Sequence, residues 1–156
     1  MKRYIVALAV LLSLLATSRA TNPRAPGQMF DGRSAASSAV SGRYYDGYGA
    51  YSGRSDSSAR TTRYYGGQGT YAGRADRTQD ATRLYDRNGA YAGRAATSGA
   101  DTRFYDSNGA FGGRSSLSGG TTTFYDSHGA YSGRAVTSGG TTRFYDRQGR
   151  MVGSKR

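Results

Sequence analysis

Arg54, Arg74, Arg94, Arg114 and Arg134 recur every twenty residues, each directly after a glycine. A guanidinium presents a planar fork of donors that matches phosphate, sulfate and carboxylate bidentately. Regular stacking of the segments that carry them would turn five such groups into a stripe. That stripe would suit an anionic polymer such as lipopolysaccharide, teichoic acid, acidic polysaccharide or nucleic acid. Asp46, Asp86, Asp106, Asp126 and Asp146 keep the same period. They offer a competing use, because an Arg–Asp ladder between segments would consume both rows. Two tyrosine rows accompany them: Tyr45, Tyr65, Tyr85, Tyr105, Tyr125 and Tyr145, then Tyr51, Tyr71, Tyr91 and Tyr131. Such rings can stack sugars or bases. Packing a core is the expected role here, since aliphatic residues are scarce.

Other chemistries lack their residues. The chain has no cysteine, no glutamate and one histidine, His128, so the usual metal-ligand clusters are missing. His128 falls in a turn, where a solvated side chain is expected. No serine is distinguished from the others, which argues against a Ser-His-Asp triad. Acids outside the recurring row are Asp31, near the N-terminus, and Asp56, Asp76, Asp80 and Asp101, in variable segments that offer no fixed carboxylate pair. The glycines belong to turns and not to a phosphate loop ahead of a helix. The expectation is a protein that is not an enzyme and holds no cofactor or metal.

The positioning element is a repeated unit. Six gapless units begin at Tyr44, Tyr64, Leu84, Phe104, Phe124 and Phe144, each twenty residues after the last. A fixed short period means one supersecondary unit copied in tandem. Within one unit, Thr121 to Tyr125 has the β-branched and aromatic composition of a strand. Asp126-Ser127-His128-Gly129 reads as a turn, with Asp bonding the local backbone and Gly taking positive φ in a three-residue hairpin loop with a bulge. Ala130 to Thr137 is the return strand, and Ser138-Gly139-Gly140 the second turn. That loop predicts Asp126 opposite Ala130, Tyr125 opposite Tyr131, Phe124 opposite Ser132 and Thr123 opposite Gly133. Gly133 and its equivalents would let a neighbouring ring or backbone come close. The fold class expected is all-β, about a dozen short strands in tandem hairpins, stacked as a solenoid or closed as a radial array. The last unit departs from the others at Arg150, Met151 and Ser154, and Met29 to Ser34 looks like a degraded half-unit. Both read as caps of an array.

Composition agrees with strands. Beyond residue 20 every acid is Asp, every base but Lys155 is Arg, and Leu84 and Leu117 are the remaining leucines. Helix formers are depleted, while Thr, Tyr, Gly and Asp abound. Residues 1–20 read as a secretory signal peptide: Lys2 and Arg3, an apolar run from Ile5 to Ala16, and Ser18-Arg19-Ala20 before the cleavage point. The run is too short for a spanning helix. Residues 21–42 read as a linker with the half-unit, and 43–156 as the repeat domain. No later segment is apolar enough to span a bilayer as a helix. The chain carries net charge +12; without Lys2, Arg3 and Arg19 a surplus of nine positive charges remains to be exposed.

Tyr145-Asp146-Arg147-Gln148-Gly149-Arg150-Met151 resembles the tyrosine-aspartate (YD) repeat of Rhs and teneurin-type proteins, Tyr-Asp-x-x-Gly-Arg-Leu. The other units keep the glycine but carry Ala or Thr after it, and Gly66 replaces the Asp in the second. The resemblance implies the hairpin block and not the large shell those proteins build. Phe104-Tyr105-Asp106-Ser107-Asn108-Gly109-Ala110-Phe111 is similar to the choline- and glucan-binding cell-wall repeats. Those have Trp where this chain has the recurring Arg, and Arg would repel choline, so that ligand class does not carry over. In style the chain also resembles small secreted β-flower proteins.

The functional expectation is an exported protein, periplasmic or secreted, that binds an anionic polysaccharide or envelope polymer through Arg54, Arg74, Arg94, Arg114 and Arg134. The alternative is a structural or self-assembling protein whose exposed strand edges pair with other copies. Nucleic acid has the charge in its favour but no folded-module signature.

Overall fold

The computed structural model describes residues 41–79 and 81–156. The segments expected to be a signal peptide and a half-unit, most of the expected linker, and Asp80 lie outside the described residues. Twelve strands follow one another: β1 Ser41–Asp46, β2 Tyr51–Ser58, β3 Thr61–Gly66, β4 Tyr71–Arg77, β5 Ala81–Asp86, β6 Tyr91–Ser98, β7 Asp101–Asp106, β8 Phe111–Ser118, β9 Thr121–Asp126, β10 Tyr131–Ser138, β11 Thr141–Asp146 and β12 Met151–Lys155. Each pairs antiparallel with its neighbours in sequence, and β12 pairs with β1 to close a barrel. The all-β hairpin array is as expected, and of the two shapes anticipated it takes the closed one. The atypical last unit is therefore the closing seam and not a cap. Tyr44 stands opposite Lys155 and Tyr45 opposite Ser154 across it.

The first turn follows from Asp and Gly in every unit but the second, where Gly66 stands in for the Asp. In the fourth unit Asp106 N donates to Ala110 O at 3.0 Å and Gly109 N to Asp106 O at 3.1 Å. The Asp106 carboxylate accepts from Asn108 N and Ala110 N, both at 2.9 Å. Gly109 sits at φ 83°, a conformation glycine adopts at no steric cost. The second turns form the opposite rim, with Gly139 and Gly140 both at positive φ.

One residue of register differs from expectation. Tyr125 does face Tyr131, but Phe124 faces Gly133 and Thr123 faces Arg134. A β-bulge leaves Ser132 as the extra residue on the return strand, and the same shift recurs in every unit. A bulge opposes two residues to one and bends the strand. The repeat glycine just after it takes φ 135–152° in the five units from Gly53 to Gly133. Its missing Cβ leaves room for a carbonyl of the next unit, Tyr145 O in the case of Gly133. Close approach at this glycine is thus as expected, and backbone fills the space.

The interior is built from the first aromatic position of each unit. Tyr44, Tyr64, Leu84, Phe104 and Phe144 are buried, with Phe124 partly so. All but Tyr44, which has Lys155 on its seam side, are flanked across the sheet by small residues: Leu84 by Ala75 and Gly93, Phe104 by Ala95 and Gly113. Large beside small around the wall is what lets six bulky groups converge inside a narrow barrel. A second interior layer is hydroxylic, with Thr82, Thr102, Thr122 and Thr142 buried. Two of them bond exposed threonines on the neighbouring strand, Thr142 to Thr137 at 2.9 Å and Thr102 to Thr97 at 3.1 Å. The tyrosine rows expected in the core are not there: Tyr45 and its equivalents lie half-buried on the outer face, and Tyr51, Tyr71, Tyr91 and Tyr131 are exposed. The bulge causes this, because it keeps Tyr131 on the same outer side as Tyr125 while Gly133 turns inward.

Two core positions carry hydroxyls. Tyr44 shares a 2.9 Å hydrogen bond with Ser55. Burial pushes the Tyr64 phenol up from 10.0 to about 12, against the opposing charge of Arg77. Its pKa is raised in the folded state, so its contribution is intact below pH 10 and is lost as pH rises towards about 12. The barrel therefore weakens across that window. Tyr64→Phe, the residue type of Phe104, Phe124 and Phe144, flattens the loss. Urea midpoints from pH 8 to 12 measure it, and superimposable profiles for the two proteins would refute the assignment.

Candidate anion-binding face

All five arginines of the expected stripe lie on the outer wall, and each guanidinium lies over the outer tyrosine of the next unit. The Cζ-to-ring-centroid distances are 4.5 Å for Arg54–Tyr65, 4.2 Å for Arg74–Tyr85, 4.4 Å for Arg94–Tyr105, 4.3 Å for Arg114–Tyr125 and 5.2 Å for Arg134–Tyr145. The closing unit has Ser154 at this position, and Arg156, two residues further on, covers Tyr45 at 5.3 Å. A stacked cation of this kind contributes about 0.5–1 kcal/mol at an exposed site and leaves the N–H edges of the fork free. Tyr45, Tyr65, Tyr85 and Tyr105 also meet their hairpin partners edge-on, as Tyr85 does Tyr91 at 6.1 Å.

The Arg–Asp ladder between units does not form. The turn aspartates are held in their own hairpins by backbone N–H groups, and Asp146 alone among them also binds an arginine, Arg150 at 2.9 Å in the same turn. Asp56 and Asp76, from the variable returns, pair instead with Arg54 at 3.3 Å and Arg74 at 3.0 Å. Partial burial raises the Asp76 carboxyl. Hydrogen bonds from Arg74 and Thr61 and the charges of Arg74 and Arg63 outweigh that and hold it below the ordinary carboxylate value.

A second arginine row escaped the sequence reading. Arg43, Arg63, Arg83, Arg103 and Arg143 are exposed on the same outer wall, each directly before the buried core residue of its unit. Their own twenty-residue period was the available signal, and Thr123 is its one exception. The registers set Arg43 opposite Arg54, Arg63 opposite Arg74, Arg83 opposite Arg94 and Arg103 opposite Arg114. Like charges directly opposite on one sheet face are destabilising. Around the wall each unit thus repeats a slanted row; one runs Asp76, Arg83, Arg94, Tyr105, Phe111 from β4 to β8.

His128 is exposed in its turn, with its backbone N bonded to Asp126. Among the described residues no group of three or more His, Cys, Asp or Glu side chains converges as a metal site, and no helix is long and apolar enough to cross a membrane. Arginine outside and Phe inside is the reverse of the apolar outer band of a lipid-spanning barrel. No protein-family model matches the chain, and no curated protein matches it.

Proposed function

We propose that this chain is an exported, non-enzymatic barrel whose arginine-rich outer face binds an anionic envelope or extracellular polymer. The observation that carries the reading is the placement of like-charged guanidinium pairs on the wall, propped on tyrosine rings and not neutralised by the turn aspartates. The one acid row that keeps the arginines' period is committed to its own turns, and on the strands an acid stands opposite only Arg63 and Arg83. A polyanion relieves the repulsion and supplies the missing acceptors. Export rests on the signal-like residues 1–20, and the hairpin itself is read as a variation on the YD unit. In the closed sheet every strand already has two neighbours, so the alternative, self-association, would use side-chain surfaces and not strand edges.

Co-sedimentation of the protein with isolated cell envelope and with acidic polysaccharide, at low and high salt, tests the reading. Binding is expected at low salt, with loss at high salt and in an Arg94→Ser/Arg114→Ser/Arg134→Ser variant. Binding indifferent to both, or none, would sink it.

A further inference from the structure

The six units are not electrically alike. The position two residues after the ladder arginine is Asp56, Asp76, Ala96, Ser116 and Val136 in turn. The first two acids pair with Arg54 and Arg74, and no ion pair forms at Arg94, Arg103, Arg114, Arg134 or Arg143. One side of the barrel, β1–β4, is partly self-neutralised. The other, from β5 to β11, carries its arginines without a bound acid, even though Asp101 stands at its edge and Asp76 opposite Arg83. We infer that the polymer-binding surface is this one-sided sector, and that its ligand is an acidic polysaccharide held by two arginine clamps, Arg83 with Arg94 and Arg103 with Arg114. The inference rests on the polymer-binding reading above and adds the sector and the ligand class.

The clamps set the spacing. They are offset by two strands, roughly 9.6 Å, and by two residues along the strand, roughly 6.7 Å, so they stand about 12 Å apart. A chain of sugars with one acidic group per disaccharide places its charges far apart and fits two separated clamps. Nucleic-acid phosphates follow more closely, at about 3.4 Å of axis per strand in a duplex, so at least one would fall between the clamps without a partner. Single-strand binding also uses a basic groove with open aromatic faces. This wall is the convex outside of a barrel, and Tyr105 and Tyr125 each already carry a guanidinium. Arg134 and Arg143 extend the track beyond the second clamp.

The decisive variants have equal net charge. Ala96→Asp/Ser116→Asp installs on the bare side the acid that Asp56 and Asp76 supply on the other, in a position where the fold already accepts it. Arg54→Ser/Arg74→Ser removes two charges from the neutralised side, with the residue that Ser154 shows is accepted there. Affinities of the full chain for hyaluronate and for oligo(dT) are measured at low salt, with thermal melts to confirm that both variants are folded. Ala96→Asp/Ser116→Asp is expected to weaken hyaluronate binding at least tenfold, and Arg54→Ser/Arg74→Ser less than threefold. Equal loss in the two variants would overturn the sector while leaving polymer binding intact. Tighter binding of oligo(dT) than of hyaluronate would overturn the polysaccharide. No binding of either by the unmodified protein would overturn the polymer reading, and this inference with it.

Discussion

Gly113→Val leaves no cooperatively folded barrel at 25 °C. Gly113 sits on the inner wall at φ 135°, a conformation that side-chain-bearing residues rarely adopt, and a Cβ there meets Tyr125 O. The obstacle is backbone in the middle of a paired strand, so it has no rotamer by which to yield. A strained backbone position contributes about 1–3 kcal/mol, and overpacking against fixed atoms about 1–3 kcal/mol more. At their upper end, together about 6 kcal/mol, they exceed the stability of a domain at the low end of the usual range, about 5 kcal/mol. Gly109 is the control. It also has positive φ, at 83°, but nothing lies within 4 Å of its Cβ position. Gly109→Ala is expected to cost only about 1–2 kcal/mol and to melt cooperatively. Urea denaturation followed by tyrosine fluorescence and far-UV circular dichroism separates the two. A Gly113→Val protein with an unshifted midpoint would show that the bulge tolerates a side chain.

Phe104→Ala is the second large effect, at about 3–5 kcal/mol. Phe104 is 7% exposed, and its cross-strand partners are Ala95 and Gly113. Neither neighbour can extend to fill the space, and the other large groups on the inner layer are held by their own strands. The cavity therefore persists, and its cost adds to the lost transfer energy of the ring. Tyr105→Ala, on the outer wall one residue away, removes a half-buried ring and one stacking partner of Arg94. It is expected to lose markedly less. The ratio of the two losses, from urea midpoints at constant slope, reports which of the adjacent aromatics fills the barrel. Comparable values would mean that the inner layer is not the main source of stability.

That pair of neighbours is also where the sequence ceased to be legible. Strand and turn positions were readable, because Asp and Gly at fixed offsets have a local conformational meaning and the period repeats it six times. Which aromatic faced inward was not. In Phe104-Tyr105 both residues suit a strand, and the choice depends on a bulge that inserts Gly112 on the return strand without a distinctive side chain. The ladder arginines lie on the outer wall, over tyrosine rings that their sequence positions did not single out as partners. Aspartate seemed available until the turns proved to hold it with backbone N–H groups. Closure was the least visible feature of all. Its contacts join β1 to β12, the two ends of the repeat region, and no local pattern encodes a pairing at that separation. Arg150, Met151 and Ser154 read as a cap, but in the ring Lys155 turns inward opposite Tyr44 and Arg156 takes over the stacking duty.

The seam also governs how such a molecule can change. Every other joint links strands adjacent in sequence, so an inserted or deleted unit of twenty residues carries its own hairpin, bulge and inter-unit glycine with it. No existing pairing has to be rewritten; β1 meets whichever strand comes last. Recombination between repeats would therefore yield wider or narrower rings in steps of two strands, the diameter following strand number roughly linearly. With each step the outer wall gains or loses one arginine row, so the reach of the basic track and the girth of the protein are a single heritable quantity.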